Sequence, residues 1–188
     1  MPVQKEDKRS ALLQAALELF AENGFNGSST ALIAKRAGVA SGTLFFHFKS
    51  KEELIHELFR QIRARIDKNV LESLQARLAV RERFIQAFSR LLHYFLENPE
   101  EFKFVEQYHF SPYGDCGYRS EEGNQTLRDL LLEAREQQFI KDAPLFFLEA
   151  VAFGPISTLA KEHATRGVAI DPDLVQMAVE ACWDGLKR

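Results

Sequence analysis

Apolar residues recur at every third or fourth position along most of the chain, which is the spacing of amphipathic α-helices. From Lys8 to Asn23 this spacing gives one apolar stripe, and Gly24 follows it as a stop signal. No segment alternates between apolar and polar residues for long enough to predict a β-strand. The pattern therefore predicts an all-α protein of about nine helices.

Two short helices and a tight turn are predicted after the first helix. Ser29 offers a hydroxyl cap for a helix through Ala37, and Gly38 suits a sharp turn because glycine adopts positive φ at little cost. A second short helix is expected from about Ser41 to Phe46. Together with the first helix, these elements predict a compact three-helix head with a helix-turn-helix.

A long helix should begin at Ser50, because Glu53 stands three positions later as in a capping box. Its apolar stripe weakens toward Arg77. Later helices are predicted over residues 80–98, 100–110, 120–138, 144–166 and 172–187. These elements divide the chain into a head, 1–52, and a helical body, 53–188.

The composition is that of a globular protein, and the net charge of the whole chain gives no argument for binding to nucleic acid. The 188 residues are 46% hydrophobic and carry a net charge of only −3. Residues 1–68 hold 11 basic and 8 acidic side chains, whereas the remainder holds 13 and 19. The positive charge therefore lies on the side of the predicted head, as suits a DNA-facing surface.

Several classes of protein are disfavoured by what the sequence lacks. The polar N-terminus has no apolar core of a signal peptide, and no stretch is long enough to span a membrane, so a cytoplasmic location is expected. We find no GxSxG, HExxH or phosphate-binding glycine loop, so we predict no catalytic residue and no cofactor. The protein is thus expected not to be an enzyme.

Metal and redox sites are also disfavoured. His93, His109 and His163 have no HxxxH spacing, so no metal site is predicted. Cys116, in a glycine-flanked loop, is a weak candidate for an exposed redox sensor. Cys182 is expected to be a small buried apolar residue.

The motif with the most specific chemistry runs from Ser29 to Leu54 and reads STALIAKRAGVASGTLFFHFKSKEEL. Its apolar spacing buries the inner faces of two short helices, which leaves a small-polar and aromatic outer face on the second. With the helix before it, the block resembles the TetR/AcrR family of helix-turn-helix transcriptional regulators over about residues 9–56. The IA..AGV turn, the GTLFFHF helix and the following SKEEL carry this resemblance.

The resemblance implies specific contacts with double-stranded DNA. The second short helix would enter the major groove, and the side chains expected at bases, sugars or phosphates are Ser29, Thr30, Ser41, Gly42, Thr43, Phe45, Phe46, His47 and Lys51. Position 45 is commonly tyrosine in the family. Because this chain has phenylalanine there, one hydroxyl-to-phosphate hydrogen bond is missing.

Large aromatic side chains are frequent between residues 80 and 160, and two interpretations stand side by side. They pack a core between helices, or they line the ligand cavity that the family implies, which would then accept an apolar or aromatic small molecule. The residues we select as cavity lining are Phe88, Leu92, Phe104, Tyr108 and Phe147.

The resemblance also implies a homodimer formed by the last two helices as a four-helix bundle on a palindromic operator. The expected apolar faces comprise Leu145, Leu148, Ala152, Ile156 and Leu159 in one helix, and Leu174, Met177, Ala178, Ala181 and Leu186 in the other. Packing within one chain is the alternative. The leading functional prediction is a repressor released by a small effector; an activator, a ligand-free regulator and a helical protein-interaction module remain alternatives.

Overall fold

The prediction of an all-α protein is confirmed by a computed structural model that describes residues 3–74, 77–115 and 125–188. Within these ranges the only β-pairing is one isolated bridge between Ile140 and Lys187. The α-helices are α1 Val3–Gly27, α2 Thr30–Arg36, α3 Ser41–His47, α4 Lys51–Ser73, α5 Val80–Glu97, α6 Pro99–His109, α7 Gln125–Glu136, α8 Leu145–Arg166 and α9 Pro172–Leu186, and a short 3₁₀ helix covers Pro112–Asp115.

Most helix boundaries lie within a few residues of the predicted ones, and two differ for identifiable reasons. Gly24 interrupts the first helix, as predicted, because it leaves helical geometry at φ 72 and ψ 173, but helical turns resume after it as far as Gly27. Helix α4 ends at Ser73 rather than near Arg77. The predicted end near Arg77 was therefore too late, and the point at which the apolar stripe weakens was the better indicator of where the helix ends.

The chain separates into two compact units. The first comprises Met1–Ile62 and Lys103–Arg119, so it contains α1 to α3, the first half of α4 and most of α6. Its core includes a ring cluster in which Phe25 lies edge-on to Phe20, 5.1 Å between centroids, and to Phe104, 5.5 Å. The division at residue 52 stays a prediction.

The second unit comprises Arg63–Phe102 and Ser120–Arg188. Helix α5 is central to it, because α7, α8 and α9 all pack against α5. The apolar side of α5 presents Phe84 and Phe88, which stack at 4.2 Å, and Phe84 also contacts Trp183 of α9 at 5.2 Å. These rings form a packed core, as the first interpretation of the aromatic residues predicted.

The expected dimer face of α8 was placed on the wrong side of the helix. Leu148, Ala152 and Ile156 are completely buried in the single chain, so they pack inside the second unit. The exposed side of α8 instead carries Phe147, Ala150, Gly154 and Thr158, while α9 exposes Met177 and Ala181. Both sides of α8 are apolar, so periodicity alone pointed to the more hydrophobic one.

Among the described residues, no helix is long and apolar enough to cross a membrane.

Candidate nucleic-acid interface

Local hydrogen bonds define the turn between α2 and α3. The Ser29 hydroxyl accepts from the backbone N–H of Leu32 at 3.2 Å and caps α2, as predicted. At the other end, Gly38 adopts φ 69, and the N–H of Val39 donates to the carbonyl of Ala34 at 3.0 Å. This left-handed turn ends α2 and redirects the chain into α3.

Helix α3 is anchored by very few residues. Leu44 is fully buried, and Phe48, at the end of the helix, is 2% exposed. The remaining side chains of α3 are exposed or half-buried: Phe45 is 54% exposed and Phe46 70%, which are unusual values for phenylalanine. A short helix therefore presents an aromatic surface that nothing in its own unit covers.

The structure places all the predicted DNA residues in the first unit, five of them exposed and four half-buried. Ser29, Ser41 and Gly42 are exposed, and a Cβ built on Gly42 meets nothing within 4 Å. Thr30, Thr43, His47 and Lys51 are half-buried. The structure thus gathers all nine residues in one unit, and their contacts with DNA stay a prediction.

Lys51 is more constrained than its predicted role required. Its ammonium donates to the carbonyl of Phe25, near the end of α1, and lies 5.9 Å from the centre of the Phe20 ring. Partial burial lowers the pKa of Lys51. Lys51 therefore joins the start of α4 to α1, a contact across 26 positions that no local sequence signal announces.

The start of α4 is fixed by the predicted capping box. The N–H of Glu53 donates to the Ser50 hydroxyl at 3.1 Å, and the N–H of Lys49 donates to the Glu53 carboxylate at 2.6 Å. The carboxylate thus bonds one residue earlier than in the usual pattern. Lys49 follows α3 by two residues, and its side chain is exposed. Its backbone N–H is held by the Glu53 carboxylate.

Ion pairs brace the helices behind α3. Arg36 of α2 bonds Glu18 at 3.3 Å and Glu22 at 3.1 Å, both on α1. The hydrogen bond from Arg36 lowers the pKa of Glu22. Arg9 pairs with Glu57 at 2.5 Å. Arg9 and Arg36 therefore join helices of the first unit to one another through ion pairs.

Ser28 is a structural residue that the sequence interpretation missed. Its hydroxyl is fully buried and lies 2.9 Å from the carbonyls of Leu19 and Gly24, so it ties the end of α1 to the segment before α2. A serine preceding the cap Ser29 resembles loop sequence. Nothing in its neighbours distinguishes it from an exposed hydroxyl.

The five predicted ligand residues fall in different units. Phe88 and Leu92 are fully buried and Phe147 is 44% exposed in the second unit, whereas Phe104 and Tyr108 are buried in the first. Rings of the same unit surround Tyr108: its ring stacks on Phe59 at 3.8 Å. A ligand role for any of the five stays a prediction.

The other candidate chemistries receive little structural support. Among the described residues, no three His, Cys, Asp or Glu side chains are grouped so as to hold a metal ion. His163 lies 2.9 Å from the carbonyl of Val168, at the end of α8. Cys182 is buried as predicted, and burial raises the pKa of its thiol to about 11. Cys116 lies outside the described residues.

Two family models match the chain. The model for bacterial regulatory proteins of the tetR family covers residues 12–58, and the model for the tetracycline-repressor-like C-terminal domain covers residues 79–187. The second match alone spans more than half of the chain. Together they cover the helix-turn-helix and the helices that follow α4.

Similar proteins are named as regulators rather than enzymes. The chain is 33% identical over 87 residues to the fatty acid metabolism regulator protein of Bacillus subtilis, and 42% identical over 59 residues to the transcriptional repressor KstR2 of Mycolicibacterium smegmatis. These matches cover 46% and 31% of this chain, and 45% and 29% of the relatives. The matched part is thus less than half of each curated relative.

Solved structures match over the full length. A TetR family transcription regulator from Marinobacter aquaeolei superposes with a TM-score of 0.89 at 26% identity, and the match covers 100% of both chains. A TetR-family regulator from Haemophilus influenzae superposes at 0.83, with 19% identity and coverage of 98% and 99%. The second likeness concerns the fold alone.

Proposed function

The chain belongs to the TetR family of bacterial transcriptional regulators, and from this premise we propose that it is a dimeric repressor that binds a palindromic operator through α3. The observation that carries the proposal is the outer face of α3, where Phe45 and Phe46 are exposed while Leu44 anchors the helix. Exposed aromatic residues beside small polar ones suit the thymine methyls and sugars of a major groove.

Each exposed or half-buried residue of α3 has a proposed contact with DNA. Ser41, Gly42 and Thr43 at the start of α3 approach the bases, because the small side chains allow close contact. Phe45, Phe46 and His47 pack on the DNA backbone and on thymine methyl groups. Contacts of this kind specify sequence only in part, so DNA shape contributes the rest.

Ser29, Thr30 and Lys51 are proposed to bind phosphates. Ser29 and Thr30 stand at the start of α2, where hydroxyl groups and a helix N-terminus favour anions. The ammonium of Lys51 carries three N–H donors, and the carbonyl of Phe25 takes one of them. Two donors therefore remain for a phosphate oxygen.

A second copy of this chain is the proposed partner, acting in the cytoplasm where the operator lies. The exposed sides of α8 and α9 carry Phe147, Gly154, Met177 and Ala181. Small residues let helices approach closely, and the larger apolar ones gain burial on association. One recognition helix per protomer also requires a dimer if a genomic site is to be specified.

An apolar or aromatic small molecule is proposed as the effector that releases the operator. It binds the body at residues such as Phe88, Leu92 and Phe147, with Phe104 and Tyr108 as the candidates in the first unit. Such a molecule must bind the DNA-free state more tightly than the DNA-bound state, since only differential affinity shifts an equilibrium.

Fluorescence anisotropy over a salt series tests the DNA-binding proposal. We expect tight, salt-sensitive binding to the DNA upstream of the protein's own gene, at two protomers per site, and weaker binding to an unrelated duplex. Thr43→Ala should alter sequence preference, whereas Thr165→Ala on the exposed side of α8 should not. Equal binding of both duplexes, insensitive to salt, would overturn the proposal.

A further inference from the structure

Helix α3 lacks the side chains that most often read base edges by hydrogen bonding. Arginine and lysine bind guanine in this way, asparagine and glutamine bind adenine, and acidic residues accept from cytosine. The sequence of α3, SGTLFFH, contains none of these residue types. Its polar side chains are Ser41, Thr43 and His47. Hydrogen bonds from α3 therefore distinguish one base pair from another only weakly.

Two phenylalanine rings dominate the outer side of α3 instead. Phe45 is 54% exposed and Phe46 is 70% exposed. Gly42 precedes them by three and four positions, so the three residues are neighbours on the helix surface. A Cβ built on Gly42 meets nothing within 4 Å, so the backbone beside the rings is open. A base edge can therefore approach α3 closely and meet the rings there.

The rings stand on a helix that is held in place from behind. Leu44 is fully buried, and Phe48 is 2% exposed with the guanidinium of Arg9 lying 5.2 Å from the centre of its ring. On the outer side, the rings of Phe46 and His47 meet edge to face, with 5.2 Å between their centroids. A surface must be positioned in this way if it is to recognise a group at one defined place.

The apolar group that distinguishes base pairs in the major groove is the methyl group on C5 of thymine. An aromatic ring that covers this methyl group removes apolar surface from water, which favours binding. Uracil and cytosine lack the methyl group, whereas 5-methylcytosine carries it on the same ring atom. A surface that recognises the methyl group, rather than a pattern of donors and acceptors, accepts 5-methylcytosine where it rejects cytosine.

We propose that Phe45 and Phe46 read the C5-methyl group of a pyrimidine, so that α3 accepts thymine and 5-methylcytosine and discriminates against uracil and unmethylated cytosine. This inference rests on the proposed binding of an operator by α3, and it names the chemical group that is recognised. It also adds a form of regulation, because methylation of a cytosine in a half-site strengthens binding without a change of sequence.

Anisotropy titrations of the full-length protein with synthetic duplexes test the proposal. The probe is the inverted repeat that the protein enriches from random duplexes, prepared with thymine or with deoxyuridine at every thymine position. Burial of one methyl group improves binding about fourfold. The loss of one contacted methyl group in each half-site should therefore weaken binding by at least about 15-fold. Equal affinity for the two duplexes would overturn the proposal.

A second pair of duplexes tests 5-methylcytosine. At the thymine whose replacement by uracil weakens binding most, the base pair of both half-sites is changed to cytosine or 5-methylcytosine opposite guanine. We expect the methylated copy to bind about 15-fold more tightly than the unmethylated copy. Because the two copies differ only in their methyl groups, equal binding would contradict the proposed readout.

Variants of the two rings assign the effect to α3. Phe45→Ala and Phe46→Ala should each lower the ratio of affinities for the thymine and deoxyuridine duplexes, with the loss falling on the thymine duplex. Phe139→Ala, at a ring that is 53% exposed in the second unit, is the matched control and should keep the ratio. Little change in Tm is expected, because all three rings are exposed. An unchanged ratio in both α3 variants would overturn the proposal.

Failure of this inference is distinct from failure of the proposed function. If the protein enriches an inverted repeat but binds its thymine and deoxyuridine forms equally, operator binding stands and the methyl readout is wrong. If the protein enriches no repeat, both are refuted.

Discussion

Replacing Lys51 with methionine should lower both the stability of the protein and the salt sensitivity of its DNA binding. Methionine keeps the apolar length of the side chain beside Phe20 and removes the ammonium that donates to Phe25. A hydrogen bond to a charged group contributes about 1.5–3 kcal/mol, and Lys51 is half-buried, so we take the lower end. A loss of about 1.5 kcal/mol corresponds to a Tm about 3–6 °C lower for a chain of this size.

The effect on DNA binding is separately measurable. Each phosphate contact contributes about 0.9 to the slope of log K against log salt, so losing one per protomer should reduce the slope of a dimer by about 1.8. Lys49→Met is the matched control: its side chain is exposed, and only its backbone bonds Glu53. Calorimetry and anisotropy on the two variants check the result. An unchanged Tm for Lys51→Met would refute the Phe25 contact, and an unchanged slope would refute the phosphate contact.

Three further predictions follow from the geometry of single residues. Gly24→Ala should cost about 1–3 kcal/mol of unfolding free energy in denaturant titration, because φ 72 with ψ 173 is a glycine conformation; an unchanged midpoint would contradict this. The raised pKa of Cys182 means that the folded state holds its proton longer: stability from this group is complete below pH 9 and is lost as pH rises to about 11. In a Cys116→Ser background, alkylation at pH 8 should therefore require denaturant, and rapid labelling of the native protein would argue against burial. Gly154→Gln should keep the helical content, since a Cβ there meets nothing within 4 Å in the single chain, but should yield monomers in sedimentation velocity; an intact dimer would place the interface elsewhere.

The sequence predicted those features that depend on neighbouring residues. Gly38 was correctly assigned a positive φ, and Ser50 with Glu53 the start of α4, because turns and caps are encoded within a few positions. The outer face of α3 followed from the same local spacing. These elements together position the candidate DNA surface.

What the sequence did not predict depends on distant partners. The resemblance implied a phosphate contact for Lys51, and its bond to the carbonyl of Phe25 was missed because the two residues are far apart in the chain. The buried side of α8, with Leu148 and Ile156, was taken for the dimer face because a helix that is apolar on both sides gives no signal of which neighbour each side meets.

Selection of binding sites from a pool of random duplexes tests the central claim most directly. The account predicts that the purified protein enriches an inverted repeat whose two half-sites bind one protomer each, and that Thr43→Ala changes the preferred bases while Thr165→Ala enriches the same repeat. Failure to enrich any sequence, or an identical repeat selected by Thr43→Ala, would contradict the claim that α3 reads the operator.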